Sequence, residues 1–203
     1  FDLLDLRRRR MALYVVLPNK DKEALGRWLR LMYATIIDQV ADIGGRRLHV
    51  VVDEFAALGR FERVLTDLAT LRASNVHMHV AVQDLNQLME TYGNGWQTVV
   101  GNCALRQFLG VNENYTADYV SQALGPTTML DGYDYQQRYP DEPPRPKPRY
   151  VGRPLMTPAE VQGMPKDRMI IFAERCVRPL FLPKSPYYDS WWANLAVDIT
   201  AHI

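Results

Sequence analysis

The residues best suited to chemistry lie in the run Leu48-His-Val-Val-Val-Asp53-Glu54-Phe55. A β-branched segment followed at once by two acids predicts a buried strand that delivers adjacent carboxylates to its C-terminal tip. In open α/β sheets, ligands gather outside that edge. Transfer of a phosphoryl group from a nucleotide needs a magnesium ion and an oriented water, and in P-loop enzymes a strand-end Asp helps to hold the metal. A second acid beside it polarises the attacking water if it lies within hydrogen-bond reach. Asp53 suits the first role and Glu54 the second. A reading without any ligand stays open at this point. Acids are favourable near the start of any helix, where they complement its dipole, and an apolar run ending in Asp-Glu is a weak motif alone.

Three more side chains bear on the choice. The next apolar run, His77-Met-His-Val-Ala-Val82, ends in Gln83. On a neighbouring strand its amide would stand beside the carboxylates, where it can sense a terminal phosphate or position water; otherwise it merely opens the next helix. Arg72 closes the intervening helical stretch. It is either a solvated charge matching the helix dipole or, in a ring assembly, a group that reaches the neighbouring subunit's nucleotide. Arg106 lies within an otherwise apolar strand, where a charge needs a partner or a channel. His77 and His79 share one face of their strand, but no third metal ligand has convincing spacing.

Positioning these residues requires alternating elements. Met11 to Leu17 reads as a strand. Asp21 to Ala41 reads as an amphipathic helix with Leu25, Trp28, Leu29, Met32, Ile36, Ile37 and Val40 on its inner face, stopped by Gly44-Gly45. Strands then follow at Leu48–Val52, His77–Val82 and Cys103–Val111. Helices are expected at Phe61–Ala73, Leu85–Tyr92 and Tyr115–Leu124. Strand–helix alternation at this spacing is the signature of crossover units and a mainly parallel sheet with helices on both faces. Residues 126–156 are rich in Pro, Tyr and charge and read as a loop or polyproline stretch. Order returns at Thr157-Pro158-Ala159-Glu160, a capping-box pattern. Two short strands, Met169–Ala173 and Pro179–Leu182, and an aromatic tail with Trp191 and Trp192 complete a C-terminal continuation over 157–203.

The bulk numbers narrow the classes. Of 203 residues, 47% are hydrophobic, enough for a buried core, and the net charge of +1 offers no global attraction for nucleic acid. The basic run Arg7–Arg10 reads as a solvated flank or a phosphate contact. Two cysteines far apart, Cys103 and Cys176, fit a reducing compartment.

Taken together, Val50 to Gly93 resembles the Walker B region of type IV secretion coupling proteins, the TraG/TraD family. The specific parts are Asp53-Glu-Phe-Ala-Ala-Leu-Gly59 and the stretch Gln83-Asp-Leu-Asn-Gln-Leu to Tyr92-Gly93. Asn102-Cys103, Arg106, Ala123-Leu-Gly125, Arg153-Pro-Leu-Met-Thr-Pro158 and Met164-Pro165 continue the similarity, as does the front run Leu6 to Pro18. The resemblance implies the C-terminal part of a RecA-like P-loop ATPase domain, with its Walker B half over residues 1–125. It implies ATP and Mg2+ as cofactors: Asp53 at the metal, Glu54 and Gln83 at the nucleotide, and Arg72 where some members carry an arginine finger. It further implies a homo-oligomer, a hexamer in the whole protein, at the cytoplasmic face of the bacterial inner membrane. Relaxase–DNA complexes or protein effectors would be its cargo, with DNA and secretion-channel components as further partners.

No G-x-x-x-x-G-K-[ST] occurs in the sequence, so the backbone cradle for β- and γ-phosphates is missing. The chain is therefore expected to be a downstream part that does not hydrolyse ATP alone. The sheet should lack the phosphate-loop strand, leaving a gap between the strands of Gln83 and Arg106. Two rivals remain: a DNA translocase of the FtsK/HerA kind, and a non-catalytic docking module derived from such an ATPase.

Overall fold

Leu48–Val52 (β1) and Val76–Val80 (β2) form a parallel pair in the register Leu48↔Val76 to Val52↔Val80. The computed structural model describes residues 2–16, 22–136, 143 and 145–189. Parallel strands require a crossover, and here it consists of a short 3-10 turn, the helix Glu62–Thr70 and a second 3-10 turn, Leu71–Ser74. In chain order the helices are Asp5–Arg8 (α1), Lys22–Ala41 (α2), Glu62–Thr70 (α3), Leu85–Tyr92 (α4) and Trp96–Gly101 (α5). They continue with Asn114–Leu124 (α6) and Pro158–Gln162 (α7). The remaining strands are Leu105–Phe108 (β3), Pro126–Gln136 (β4), Arg145–Pro154 (β5), Arg168–Ala173 (β6) and Leu180–Pro183 (β7). The chain divides into two units, 1–104 and 105–203.

In the first unit, alternation along β1 and β2 sends Val50, Val52, Val76 and Met78 to one side, where α2 packs. The Tyr33 hydroxyl of α2 donates to the Met78 sulfur at 3.4 Å, and Tyr33 meets Phe61 edge-on. Burial, and then the neighbouring Asp67 carboxylate, hold the Tyr33 phenol protonated far above its usual range. Asp67 is itself buried and is paired with Arg63 at 3.3 Å. Ile37, Val40, Val64, Val76 and Val99 are fully enclosed. The other side of the pair carries His49, Val51, His77 and His79; Val51 is 72% exposed. Arg7, read from sequence as part of a solvated or phosphate-contacting run, is buried instead. Its guanidinium donates to the carbonyls of Ile43, Ser74 and Asn75. It thereby closes the chain ends that lead into β1 and β2, and Gly45 packs so tightly there that an added Cβ would lie 2.8 Å from the Arg7 carbonyl oxygen.

In the second unit β3, β6 and β7 form an antiparallel sheet in the order β3-β6-β7. Its core joins Val111, Ala117, Val120, Val161, Ile170 and Phe172. The capping box at α7 forms as its sequence pattern predicts: the Thr157 hydroxyl accepts from the Glu160 amide, and Glu160 accepts from the Thr157 amide at 2.7 Å.

Four expectations are corrected. The sheet is not mainly parallel, because β1·β2 is the one parallel pairing among the described residues. Met11 to Val16 is not a strand: no described segment pairs with it, and its side chains are exposed; Leu17 lies outside the described residues. Trp28, placed by periodicity on the inner face of α2, is 46% exposed. Over Pro126–Gln136 and Arg145–Pro154 the Pro-rich stretch is not a loop. β4 and β5 form an antiparallel ribbon with an irregularity between Leu130 and Gly132. Pro146, Pro148 and Pro154 share one parity along β5, so each can turn its ring nitrogen to the open edge and leave the ladder intact. Residues 137–142, Pro144 and Trp191-Trp192 lie outside the described residues. α5 was not anticipated, since Gly93 and Gly95 read as a break; the chain passes them in a 3-10 turn and resumes a helix.

Candidate functional site

The β1–β2 ladder continues one step beyond the strands. The Ala81 amide donates to the Val52 carbonyl at 3.0 Å, and the Phe55 amide donates to the Ala81 carbonyl at 2.8 Å. Asp53 and Glu54 thus leave the C-terminal tip of β1 beside residue 81, and Gln83 follows two residues later from the adjacent tip. The three side chains predicted to act together leave the same end of one parallel pair, and all three residues are solvent-exposed.

The turn after β1 is held tightly. Glu54 adopts a left-handed conformation, φ 50° and ψ 58°, which costs a non-glycine residue about 1–2 kcal/mol. Phe55 offsets it: its side chain is 0% exposed, and full burial of a Phe contributes about 2–3 kcal/mol. Its ring stacks on Tyr92 of α4, centroids 5.7 Å apart and planes 7° from parallel. The 3-10 turn Phe55–Leu58 ends at Gly59 (φ 63°), whose carbonyl accepts from the Tyr92 hydroxyl at 3.4 Å. The Arg30 guanidinium of α2 donates to the Leu58 carbonyl. Asp53 Oδ1 accepts from the Glu54 amide at 3.1 Å, which fixes one carboxylate oxygen and leaves the other for a ligand. Burial holds the Tyr92 phenol above its usual range, so the hydroxyl stays a donor at neutral pH.

Gln83 is oriented from its own helix. Asp84 caps α4 by accepting from the Gln87 amide at 2.8 Å, and the Gln87 side-chain amide donates to Gln83 Oε1 at 3.1 Å. The Gln83 amino group therefore faces away from Gln87.

Arg72 is not brought into this cluster. Arg72 lies in the 3-10 turn that enters β2, the opposite end of the pair from Asp53. Arg106, in the second unit, donates to the Tyr119 hydroxyl at 2.7 Å and covers the Phe172 ring at 5.2 Å. Its partner is thus an aromatic pair beside it in that core. His49 supplies the third imidazole that spacing along one strand could not show: His49 Nδ1 and His79 Nε2 are 2.9 Å apart, and both His77 and His79 rings stack on His49. No group of three or more His, Cys, Asp or Glu among the described residues is placed to hold a metal ion. Burial, then the charge of Arg47, keeps the His77 imidazole below its usual range. Tyr92 and Arg30 are the site-building residues that sequence reading missed. Tyr92 did stand inside the quoted Gln83–Gly93 motif; nothing local marked Arg30.

A strand-tip acid pair on an α/β frame, with a glutamine at the adjacent tip, is the arrangement expected of a type IV coupling protein. The chain belongs to that family: the family model described as "Type IV secretory system Conjugative DNA transfer" matches residues 1–202. It is 28% identical over 204 residues to Protein VirD4 of Rhizobium rhizogenes, which covers 93% of this chain and 29% of that protein. Among solved structures, it is similar to the plasmid coupling protein TrwB in complex with the ATP analogue ADPNP. That likeness has a TM-score of 0.65 at 19% identity and covers 85% of this chain and 40% of the other. A second TrwB structure, in complex with ADP and Mg2+, gives a TM-score of 0.58 at 22% identity over 80% of this chain and 38% of that one. These structural likenesses establish the fold. The chain thus spans under a third of the length of VirD4. No helix among the described residues is long and apolar enough to cross a membrane.

Proposed function

We propose that this chain is the Walker B half of a RecA-like ATPase domain, and that in the complete protein it helps convert ATP hydrolysis into delivery of cargo through a type IV secretion channel. The observation that carries the reading is the convergence of Asp53, Glu54 and Gln83 on one end of a parallel pair, with Glu54 locked in a left-handed turn. An oxygen-only donor set at a strand tip fits a magnesium ion, which prefers one or two carboxylates, water and phosphate oxygens. When bound, magnesium neutralises charge developing on the transferred phosphoryl group. The Asp53 carboxylate oxygen that does not accept from the Glu54 amide would be the one to hold the metal. Glu54 orients and polarises the attacking water. The Gln83 amino group, turned away from Gln87, donates toward the terminal phosphate.

This chain contains no phosphate-loop sequence, so the β- and γ-phosphates must be gripped by residues elsewhere in the protein; alone, the chain does not turn over ATP. The free edge of β2, which has β1 on one side and no described strand on the other, is where a phosphate-loop strand would add. Arg72, at the far end of the pair, would reach a neighbouring subunit in a hexameric ring. Arg106, which donates to the Tyr119 hydroxyl in the second unit, is given no role in this reading. The reading extends to placement at the cytoplasmic face of the inner membrane, with relaxase–DNA complexes or protein effectors handed on.

The test is ATP turnover by the complete protein with Glu54→Gln. Loss of a water-orienting acid lowers kcat by about 10²–10⁴-fold while nucleotide binding persists. Turnover equal to the parent's would remove Glu54 from the mechanism.

A further inference from the structure

We propose that Tyr92 and Arg30 are positioning residues for Glu54, bracing the turn that aims its carboxylate. The inference rests on the reading of Glu54 as the water-orienting acid and adds to it the parts that hold it still.

Glu54 sits between two fixed points. On one side is the β1–β2 ladder, which ends with the Phe55 amide on the Ala81 carbonyl. On the other is Gly59, reached through a single 3-10 turn. A left-handed residue between such points stays left-handed only while both are held, because an extended or right-handed Glu54 would swing residues 55–59 away from α2 and α4. Tyr92 holds both points at once. Its ring covers that of Phe55, the residue next to Glu54, and its hydroxyl reaches the Gly59 carbonyl. Arg30 holds the carbonyl just before Gly59, at Leu58. Leu58 itself is buried, so its carbonyl would otherwise lack a charged donor.

Tyr92 has a second consequence. It is the last residue of α4, whose N-cap Asp84 directly follows Gln83. One short helix therefore joins the glutamine at one strand tip to the glutamate turn at the other. A shift of α4 would move both groups together: one stretch carries the turn, the other its brace.

Both residues are argued to act on the turn (Tyr92 on Phe55 and Gly59, Arg30 on Leu58), so the expected signature is a loss in kcat with KM for ATP unchanged. The experiment compares Tyr92→Phe, Tyr92→Leu, Arg30→Gln and Glu54→Gln in the complete protein, measuring kcat, KM and melting temperature. Tyr92→Phe keeps the stack and stays within about 3-fold of the parent. Tyr92→Leu loses the stack and drops kcat by about 10- to 100-fold, as expected when a reacting group moves by about 1 Å, with KM within 2-fold. Arg30→Gln, a change at a half-buried guanidinium with no ring to collapse, lowers kcat about 3- to 10-fold; it decides the question alone if Tyr92→Leu does not fold. Parent-like kcat in Arg30→Gln and in any folded Tyr92→Leu, with Glu54→Gln inactive, overturns this inference and spares the functional reading. Parent-like kcat in Glu54→Gln overturns that reading instead.

Discussion

The tip of the β1–β2 pair and the β4–β5 ribbon both rest on backbone ladders, of five and ten register pairs, and differ in what lies against them. At the tip, one turn of five residues carries a fully buried Phe55, an aromatic stack and carbonyls gripped by Arg30 and Tyr92. Along the ribbon, Tyr133, Tyr135 and Tyr150 stand 55%, 72% and 64% exposed, and Arg149 finds its partners in Asp131 and Asp134 of the opposite strand. A ladder fixes register in both places. Only packing from a second element fixes the direction of a side chain well enough to orient a reacting group. Chemistry is therefore expected at the tip.

Mutations break or sharpen this contrast, beginning with the largest effect. Phe55→Ala should destabilise by about 3–5 kcal/mol, as large-to-small changes at enclosed aromatics do. Tyr135→Ala on the ribbon should stay within about 0.5 kcal/mol. Denaturant titration of the two variants measures both, and equal losses would erase the distinction. Next, Asp84→Ala removes the N-cap of α4 and should cost about 1 kcal/mol, with increased hydrogen exchange at Gln87 as the check. Smaller still is a pH effect in the second unit. The Thr157 amide, and then Arg153, hold the Glu160 carboxyl down at about 2, against an ordinary 4.5. A carboxyl depressed on folding contributes stability that is fully present above the unfolded value and is lost as pH falls through the folded one. The capping box at α7 should therefore loosen between about pH 4.5 and pH 2. NMR titration of the Glu160 carboxyl tests it, and a midpoint near 4.5 would contradict it.

Much of this was legible in residue order. Short, largely apolar runs located β1, β2, β3 and β6 to within a few positions. The Thr157–Glu160 box marked a helix start through capping chemistry that is local in sequence. The candidate cluster was legible for the same reason: Asp53, Glu54 and Gln83 directly follow apolar runs, and parallel pairing carries both ends to one edge. What escaped was non-local. Arg30 meets Leu58 from 28 positions away, and Arg7 reaches Asn75 across 68. No local pattern distinguishes either from a solvated arginine. His49 joins His77 and His79 only through strand pairing. The ribbon was missed because proline density reads as a breaker, whereas proline parity along an edge does not break a ladder. The expected parallel sheet shrank to one pair because β3 finds its partner in the antiparallel β6.

The central claim is best tested by a structure of the complete protein with ADPNP and Mg2+, read at the tip of β1. The account predicts the Asp53 carboxylate at the metal or one water away, Glu54 facing the γ-phosphate and the Gln83 amide within hydrogen-bond reach of it. A nucleotide seated elsewhere, with Asp53 and Glu54 left in open solvent, would contradict it.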